Sequence, residues 1–327
     1  MKTLVRILLW FIVLIVIILG GSLSYIKFVL PDVGAAPVLK VESSPERIAR
    51  GEYLANHVAV CIDCHSKRDW SRFSGPPTEG TYGMGGDRFD QKFGFPGVYY
   101  AKNITPAGIS RYTDGELFRV ITTGVNKEGE AMFPVMPFHY YGQMDEEDIK
   151  SIIAYIRTLK PIQNATPKSV SDFPMNFILN TIPHKGTPLK RPDKSDLVTY
   201  GKYLTNAASC IDCHTKTDKG KLVAGVEYGG GREFPFPDGA IVRSGNITPD
   251  KETGIGLWKK ETFLSLFHAH SDSVTLHTTL NPGDFNSIMP WTMYGRMNNE
   301  DLEAIFAYLM TVPAVTNKVI KFSPAKH

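Results

Sequence analysis

The sequence contains one pentapeptide twice: residues 61–65 read Cys-Ile-Asp-Cys-His, and residues 210–214 read the same. These two copies hold all four cysteines of the 327-residue chain. Four cysteines are too few for a scaffold held together by disulfides, and none is left over for another site. The cysteine chemistry of this chain is therefore confined to these two equivalent pentapeptides.

The sequence around each pentapeptide also recurs, in the same order. The recurring segments are 51–54 with 201–204, 103–106 with 246–249, and 136–159 with 289–312. The last pair aligns without gaps at a constant offset of 153 residues. Self-similarity over this length indicates one domain that is used twice.

Local patterns predict a mostly α fold with long loops. Ser44 before Pro45 is a typical helix start, and the equivalent helix of the second repeat is predicted to begin near Ser195 or Asp196. Each repeat ends in an amphipathic helix with one apolar stripe at helical spacing. The stripes are Ile149, Ile152, Ile153, Ile156 and Leu159, and Leu302, Ile305, Phe306, Leu309 and Val312. Segments 66–102 and 215–245, rich in Gly, Pro and aromatic residues, predict loops with short strands at most.

The N-terminus predicts a membrane anchor. Residues 7–26 carry no charge and, as a helix, would span roughly 30 Å, the thickness of a bilayer core. A cleaved signal peptide and a buried core helix are the alternatives, but the apolar stretch is longer than the usual signal-peptide core. Lys2 and Arg6 should keep the N-terminus cytoplasmic, so that residues from about 31 onward lie on the periplasmic side of the inner membrane in a single-pass protein.

These observations predict six consecutive segments. They are a signal anchor at 1–30, a tether at 31–44, a first domain at 45–162, a Pro-rich linker at 163–194, a second domain at 195–318 and a tail at 319–327. Residues 161–193 contain six prolines and no sustained period. Phe173, Met175, Phe177, Ile178 and Leu179 nevertheless predict that the linker packs across a domain surface.

The Cys-x-x-Cys-His spacing is typical of covalent haem attachment, in which two thiols bond the vinyl groups and the histidine ligates the iron. We therefore expect two haem c groups, the first on Cys61, Cys64 and His65, and the second on Cys210, Cys213 and His214. A structural zinc site would need four converging ligands, whereas the two cysteine pairs lie 149 residues apart. A redox dithiol needs no histidine at this position.

Met136 and Met289 are the predicted sixth iron ligands, because each precedes a proline at the same distance from the last helix of its repeat. The null hypothesis is that they only fill the core. Met144 and Met297 also match between repeats, but they lie beside the start of that helix, where packing explains them.

The other histidines are less informative. His139 has Thr292 as its counterpart and so falls outside the repeated site. His268, His270 and His277 either form a metal site or are ordinary solvated or hydrogen-bonded side chains. The paired Asn-Ile-Thr-Pro segments either contact a haem edge or form a backbone turn, and we favour the turn.

Taken together, these residues resemble the diheme cytochrome c proteins, especially the cytochrome subunits of membrane-bound alcohol and sugar-acid dehydrogenases. The resemblance rests on both pentapeptides, both Asn-Ile-Thr-Pro segments, Gly-Ile-Gly-Leu-Trp at 254–258, both Met-Pro pairs and the closing helices. It implies two tandem class I cytochrome c-like domains, with His65 and Met136 on one iron and His214 and Met289 on the other. Those subunits commonly carry three haem motifs, whereas this chain has two, and its membrane attachment is N-terminal.

We expect a membrane-anchored electron carrier without catalysis of its own, which takes single electrons from a periplasmic dehydrogenase or a quinol-oxidising complex and passes them to an oxidase or another cytochrome. The alternatives are a diheme peroxidase with one open or openable iron, and an assembly subunit whose haems serve stability. A net charge of +3 over the whole chain gives no reason to expect a nucleic-acid partner.

Overall fold

The computed structural model describes residues 2–218, 220–271, 278–281 and 283–325. The fold is mostly helical, as predicted, with short strands in the loops. The helices are α1 (Lys2–Phe28), α2 (Pro45–Tyr53), α3 (Cys61–Cys64), α4 (Pro106–Ile109), α5 (Asp114–Thr123), α6 (Phe138–Tyr141), α7 (Glu146–Ile156), α8 (Met175–Ile178), α9 (Leu197–Ala207), α10 (Cys210–Cys213), α11 (Lys260–His268), α12 (Trp291–Tyr294) and α13 (Asn299–Leu309). The strands are β1 (Arg88–Phe89), β2 (Gly97–Tyr100), β3 (Val170–Ser171), β4 (Thr217–Asp218), β5 (Lys221–Leu222), β6 (Glu233–Pro235), β7 (Ile241–Arg243) and β8 (Phe322–Ser323).

The predicted helix starts are confirmed by their capping bonds. The Ser44 hydroxyl accepts the Arg47 N–H at 3.2 Å, and the Asp196 carboxylate accepts the Thr199 N–H at 3.1 Å. Each bond satisfies one of the amide groups that a helix leaves free at its first turn. The first helix of each repeat therefore begins where the sequence predicts.

The core of each repeat is a pair of helices in very close contact. α2 packs on α7 in the first repeat, and α9 packs on α13 in the second. A Cβ atom added to Gly51 would lie 1.8 Å from the Ser151 carbonyl oxygen, and one added to Gly201 would lie 1.8 Å from that of Ala304. Only glycine allows the two backbones to approach this closely.

A π-helix at Leu54–Val58 compensates for a length difference between the repeats. Cys61 lies ten positions after Gly51, whereas Cys210 lies nine positions after Gly201. A single π turn is the usual way for a helix to accommodate one extra residue. The two cysteine motifs therefore leave their preceding helices in equivalent positions despite the insertion.

Two three-stranded antiparallel sheets, in the orders β1-β2-β3 and β6-β7-β8, occupy equivalent places in the repeats. The third strand of each sheet comes from outside the predicted domain boundaries. β3 lies in the segment predicted as linker and pairs Gly97 with Ser171, and β8 lies in the predicted tail and pairs Val242 with Phe322. Both segments thus pack back on the repeat that precedes them.

The two repeats contact each other through reciprocal hydrogen bonds. The Tyr53 hydroxyl of the first repeat donates to the Asp301 carboxylate of the second at 2.8 Å. The Tyr203 hydroxyl of the second repeat donates to the Asp148 carboxylate of the first at 2.6 Å. Both aspartates are fully buried. Since the four residues are equivalent in pairs, this contact has approximate twofold symmetry.

Asp148 has further partners of opposite charge. Arg50 donates two hydrogen bonds to its carboxylate, at 3.0 and 2.8 Å, and Arg191 from the Pro-rich segment donates a third at 2.6 Å. Burial by itself disfavours the charged carboxylate, but Arg50, Tyr203 and Arg191 hold the pKa of Asp148 below its ordinary value. The Pro-rich segment thereby takes part in the contact between the repeats.

α1 extends away from the rest of the chain and contains no buried residue. In the described part of the chain it is the one helix long and apolar enough to cross a membrane. Its C-terminal end contacts α8 and the following turn, where the Asn180 side-chain amide donates to the Ile26 carbonyl at 3.1 Å.

Replacing Tyr53 or Tyr203 by Phe should lower the free energy of unfolding by about 1–3 kcal/mol each, because a buried carboxylate loses a charge-assisted hydrogen bond. Tyr82→Phe is the matched control, since Tyr82 is exposed, and should change stability by less than about 0.5 kcal/mol. Urea unfolding measures all three. Equal midpoints for the three variants would contradict the contact between the repeats.

Candidate functional site

Each pentapeptide forms a single helical turn with its histidine at the C-terminal end. The residue before each turn, Val60 or Ser209, has a left-handed backbone with φ of 46° or 48°. The cysteines lie three positions apart on the turn, so that their side chains lie on one face. Burial raises the pKa of the Cys61 and Cys210 thiols to about 12, and all four cysteines are free of disulfides.

Both pentapeptide histidines have one ring nitrogen engaged by the backbone. His65 Nδ1 lies 2.6 Å from the Lys102 carbonyl oxygen, and His214 Nδ1 lies 2.8 Å from that of Gly245. A carbonyl accepts only, so Nδ1 carries the proton and Nε2 keeps its lone pair. Burial lowers the pKa of both imidazoles, and the carbonyl offsets this only in part. The result is a neutral, oriented imidazole of the kind that metal-ligating histidines have.

The Asn-Ile-Thr-Pro segments hold these carbonyls in place. They directly follow the two residues that supply the carbonyls. The Asn103 side-chain oxygen accepts the N–H and hydroxyl of Thr105, at 2.9 and 2.7 Å, and its amide donates to the Ile162 carbonyl at 2.8 Å. Asn246 makes the equivalent bonds in the second repeat. The segments are therefore turns, as we favoured from the sequence, and their role in orienting the histidines was not predicted.

In each repeat, one glycine lets another segment of the backbone pass close to the pentapeptide histidine. Gly85 N–H donates to the His65 carbonyl at 2.8 Å, and Gly230 N–H donates to the His214 carbonyl at 2.7 Å. Their φ angles are +70° and +73°, and an added Cβ would lie 2.5 Å from backbone carbon in each case. Neither position was predicted from the sequence, although consecutive glycines at 85–86 and 229–231 could have indicated an unusual backbone there.

The predicted sixth ligands lie in equivalent places. Met136 and Met289 are half-buried just before α6 and α12, and both pack against the core that Cys61 and Cys210 also contact. The structure therefore brings each methionine to the apolar core that the cysteine motifs also contact, in each case directly before a proline.

A tyrosine in each repeat ties the methionine-bearing segment to the cysteine motif. The Tyr141 hydroxyl donates to the Ala59 carbonyl at 2.7 Å, and the Tyr294 hydroxyl donates to the Ala208 carbonyl at 3.0 Å. Each acceptor lies two residues before a motif cysteine. These bonds fix the separation between the segments that carry thiol, imidazole and thioether.

The second methionine segment has an additional clamp that crosses between the repeats. The buried Ser74 hydroxyl donates to the Met289 carbonyl at 2.5 Å and accepts the Trp291 N–H at 3.0 Å. Ser74 N–H donates to the Asn286 side chain at 2.9 Å. In the described part of the chain, the Met136 carbonyl accepts only the N–H of Phe138 from its own repeat. The two candidate sites therefore differ in how their methionine segments are held.

Met144, Met297 and His268 have structural partners. Met144 and Met297 are buried in the core, as predicted for packing residues. His268 uses both ring nitrogens, Nδ1 with the Gly295 carbonyl at 2.9 Å and Nε2 with the Asn299 side chain at 2.7 Å.

The possible histidine metal site gains no support from the surrounding residues. His270 stacks against Phe73 and Trp291, with ring centroids 5.5 and 4.7 Å apart, and His277 lies outside the described residues. Among the residues that the structure describes, no group of three or more His, Cys, Asp or Glu side chains could hold a metal ion. His139 Nε2 lies 3.9 Å from the carboxylate of Asp212 in the second pentapeptide, and its counterpart in the second repeat is Thr292.

The donor set of each repeat fits a covalently attached haem. Two free thiols share one turn, an imidazole next to them has Nδ1 engaged and Nε2 available, and a thioether packs on the same core. This combination of soft sulfur and imidazole donors suits haem iron, and two thiols at this spacing match the two vinyl groups.

Comparison with known proteins confirms the resemblance predicted from the sequence. The chain is 28% identical over 304 residues to the fructose dehydrogenase cytochrome subunit of Gluconobacter japonicus, which covers 86% of this chain and 56% of the relative. It is 26% identical over 283 residues to the cytochrome c subunit of alcohol dehydrogenase (quinone) from Gluconobacter oxydans, covering 82% and 55%. It is 27% identical over 297 residues to a diheme cytochrome c-type protein of Cereibacter sphaeroides, covering 84% and 91%.

The chain spans little more than half the length of the two dehydrogenase subunits, but almost the full length of the diheme protein. No protein-family model matches the chain. The similarity covers both repeats and supports a cytochrome c with covalently bound haem that transfers electrons.

Gly85→Ala and Gly230→Ala should each lower the free energy of unfolding by about 3–4 kcal/mol, because the new Cβ meets backbone in addition to the strained φ. Gly80→Ala separates the two effects: Gly80 has φ +78° but open space around it, so we expect a loss of only about 1–2 kcal/mol. Denaturant unfolding of the three variants measures the difference. If Gly85→Ala and Gly230→Ala cost no more than Gly80→Ala, the close approach beside the histidines is wrong.

Proposed function

We propose that this protein is a membrane-anchored diheme cytochrome c that relays single electrons between a periplasmic donor and a terminal acceptor. The observation that carries the proposal is the duplication of a complete donor set with the same supporting contacts. Both repeats have the thiol pair, the carbonyl-held imidazole and the methionine segment tied down by tyrosine.

The proposed haem-binding residues are Cys61, Cys64, His65 and Met136 in the first domain and Cys210, Cys213, His214 and Met289 in the second. Each haem c, when bound, supplies an iron that carries one electron by alternating between the ferric and ferrous states. The tandem domains proposed here keep the boundaries 45–162 and 195–318, each completed by a strand from the segment that follows it.

The protein's own groups have three tasks in this proposal. The thiols would hold the haem covalently, and the histidine and the methionine would both ligate its iron and leave no position there for a substrate. The carbonyls of Lys102 and Gly245 keep each imidazole in one orientation and one tautomer, which keeps the ligand set constant during turnover.

A direct contact between the two sites supports a relay. The Tyr140 hydroxyl, on α6 just after Met136, donates to the carboxylate of Asp212 inside the second pentapeptide at 2.9 Å. The Tyr140 carbonyl also accepts the Asn206 side-chain amide at 3.2 Å. The methionine segment of the first site thus lies next to the cysteine turn of the second site. In the proposed relay, an electron passes between the two haems in this region.

The membrane assignment rests on α1. We infer that this helix stays attached, with its basic N-terminus in the cytoplasm and the two domains on the periplasmic side of the inner membrane. Two of the relatives are named as cytochrome subunits of fructose and alcohol dehydrogenases, which favours a dehydrogenase as the electron donor. A quinol-oxidising complex is the other proposed donor, and an oxidase or another cytochrome is the proposed acceptor.

The first test is an optical spectrum of the full chain in detergent, reduced and oxidised, with and without carbon monoxide. We expect two c-type haems per chain, the far-red methionine–iron band in the oxidised protein, and almost no carbon monoxide shift, because both sixth positions are filled. A shift in about half of the haem would contradict the closed relay and favour the diheme peroxidase.

Variants assign the ligands one at a time. Met136→Leu and Met289→Leu should each let carbon monoxide bind about half of the haem and remove about half of the far-red band. Met144→Leu is the matched control, since Met144 is a core residue beside the same helix, and it should leave the spectrum unchanged. Carbon monoxide binding in none of the variants would exclude Met136 and Met289 as ligands.

Ser74→Ala should affect the second site alone. The variant removes the Ser74 hydroxyl from the Met289 carbonyl and from the Trp291 N–H, which keep only their 2.8 Å bond to each other, at a cost of about 1 kcal/mol in unfolding free energy. We expect one of the two midpoint potentials to shift and the other to stay constant in a redox titration. Ser71→Ala, in the exposed part of the same loop, is the control. Equal shifts at both potentials would contradict a clamp specific to Met289.

A further inference from the structure

The Pro-rich segment between the repeats lies against the membrane end of α1. α8 and the turn at Leu179–Thr181 both contact the last turns of this helix. The Asn180 side-chain amide donates to the Ile26 carbonyl at 3.1 Å, two residues before α1 ends at Phe28. Residues 173–181 therefore lie level with the end of the helix, where the apolar part of a membrane gives way to the headgroups.

This 173–181 segment carries apolar side chains that the protein does not cover. The sequence predicts that they pack across a domain surface, but Phe173 is 81% exposed and Ile178 is 44% exposed. Phe173 contacts Phe177 edge to face, at 6.4 Å between ring centroids. Phe28, at the end of α1, is also 79% exposed. An exposed aromatic cluster beside a membrane-spanning helix is unfavourable in water.

We propose that the 173–181 segment lies in the interfacial layer of the bilayer that α1 spans, and so forms a second contact between this protein and the membrane lipids. The inference rests on the proposed anchoring by α1. Its occupant is phospholipid, because the uncovered surface is continuous with the lipid-facing surface of α1. Aromatic side chains favour this depth of a membrane.

The second contact would restrict how the exported domains stand on the membrane. β3 directly precedes the segment and pairs with β2 of the first repeat, so the segment is joined to that repeat by a strand of its sheet. The residues between α1 and α2 also contact the first repeat, where the Val41 N–H donates to the Asp114 carboxylate at 2.8 Å. Two attachment points hold the first repeat at a constant distance from the lipid surface.

Site-directed labelling tests this placement in the full chain. Because the four native cysteines are committed to haem attachment in the proposed function, Phe173→Cys supplies one reactive thiol for an environment-sensitive nitrobenzoxadiazole label. The protein is reconstituted into phosphatidylcholine–phosphatidylglycerol vesicles, and the wild-type chain controls for labelling elsewhere. We expect a blue-shifted emission and at least twofold quenching by lipids with a nitroxide near the headgroup.

Three further labels make the result decisive. Ile178→Cys should behave like Phe173→Cys and replaces it if that variant fails to fold. Leu257→Cys is the control, because Leu257 is a similarly exposed apolar residue of the second repeat, and it should not be quenched. Val13→Cys, in the middle of α1, should be quenched by lipids with a deep nitroxide.

The labels separate the two possible failures. Quenching at Val13→Cys without quenching at Phe173→Cys and Ile178→Cys overturns the second contact and leaves the anchor intact. An unquenched Val13→Cys overturns the membrane anchor and this inference with it. Equal quenching at Leu257→Cys and Phe173→Cys also overturns the inference, because the effect is then not specific to the segment.

Discussion

The contact on which each repeat depends is the one between a glycine of its first helix and a backbone carbonyl of its last. Gly51 on Ser151, and Gly201 on Ala304, bring helices closer than any side chain would permit. This crossing fixes the start of the cysteine turn relative to the last helix. The last helix follows the methionine segment, so the same contact sets the distance over which Tyr141 and Tyr294 can reach back to the cysteine motif.

The duplication has a structural consequence beyond the presence of two sites. Because the repeats are similar, equivalent residues can meet reciprocally, as Tyr53 with Asp301 and Tyr203 with Asp148 do. A contact of this kind buries two carboxylates, which is costly unless each has donors. Asp148 has Arg50 and Arg191 in addition to Tyr203, so the charge is compensated and the repeats are held in one arrangement.

The two repeats are nevertheless not identical in their details. The first contains the π-helix before its cysteine turn, and the second has its methionine segment clamped by Ser74 from the first. The aspartate of the pentapeptide also differs in environment between the repeats. Asp63 is buried and paired with Arg68 at 3.0 Å, whereas Asp212 accepts a hydrogen bond from Tyr140. Such differences in burial and hydrogen bonding are the means by which a protein gives two similar redox groups different potentials.

The sequence by itself determined the repeated motif, the start of the first helix and the apolar stripe of the last helix in each repeat, and the apolar N-terminal helix, because each is a local pattern of spacing, capping or hydrophobicity. The similarity to cytochrome c subunits followed from the same residues. The tertiary structure alone decided which carbonyl orients each histidine, why Gly85 and Gly230 are needed, and that Ser74 reaches Met289. It also showed that the third strand of each sheet comes from a segment predicted as linker or tail. The physical reason is that these contacts join residues from 15 to 215 positions apart, and no local pattern records which distant backbone a side chain will meet.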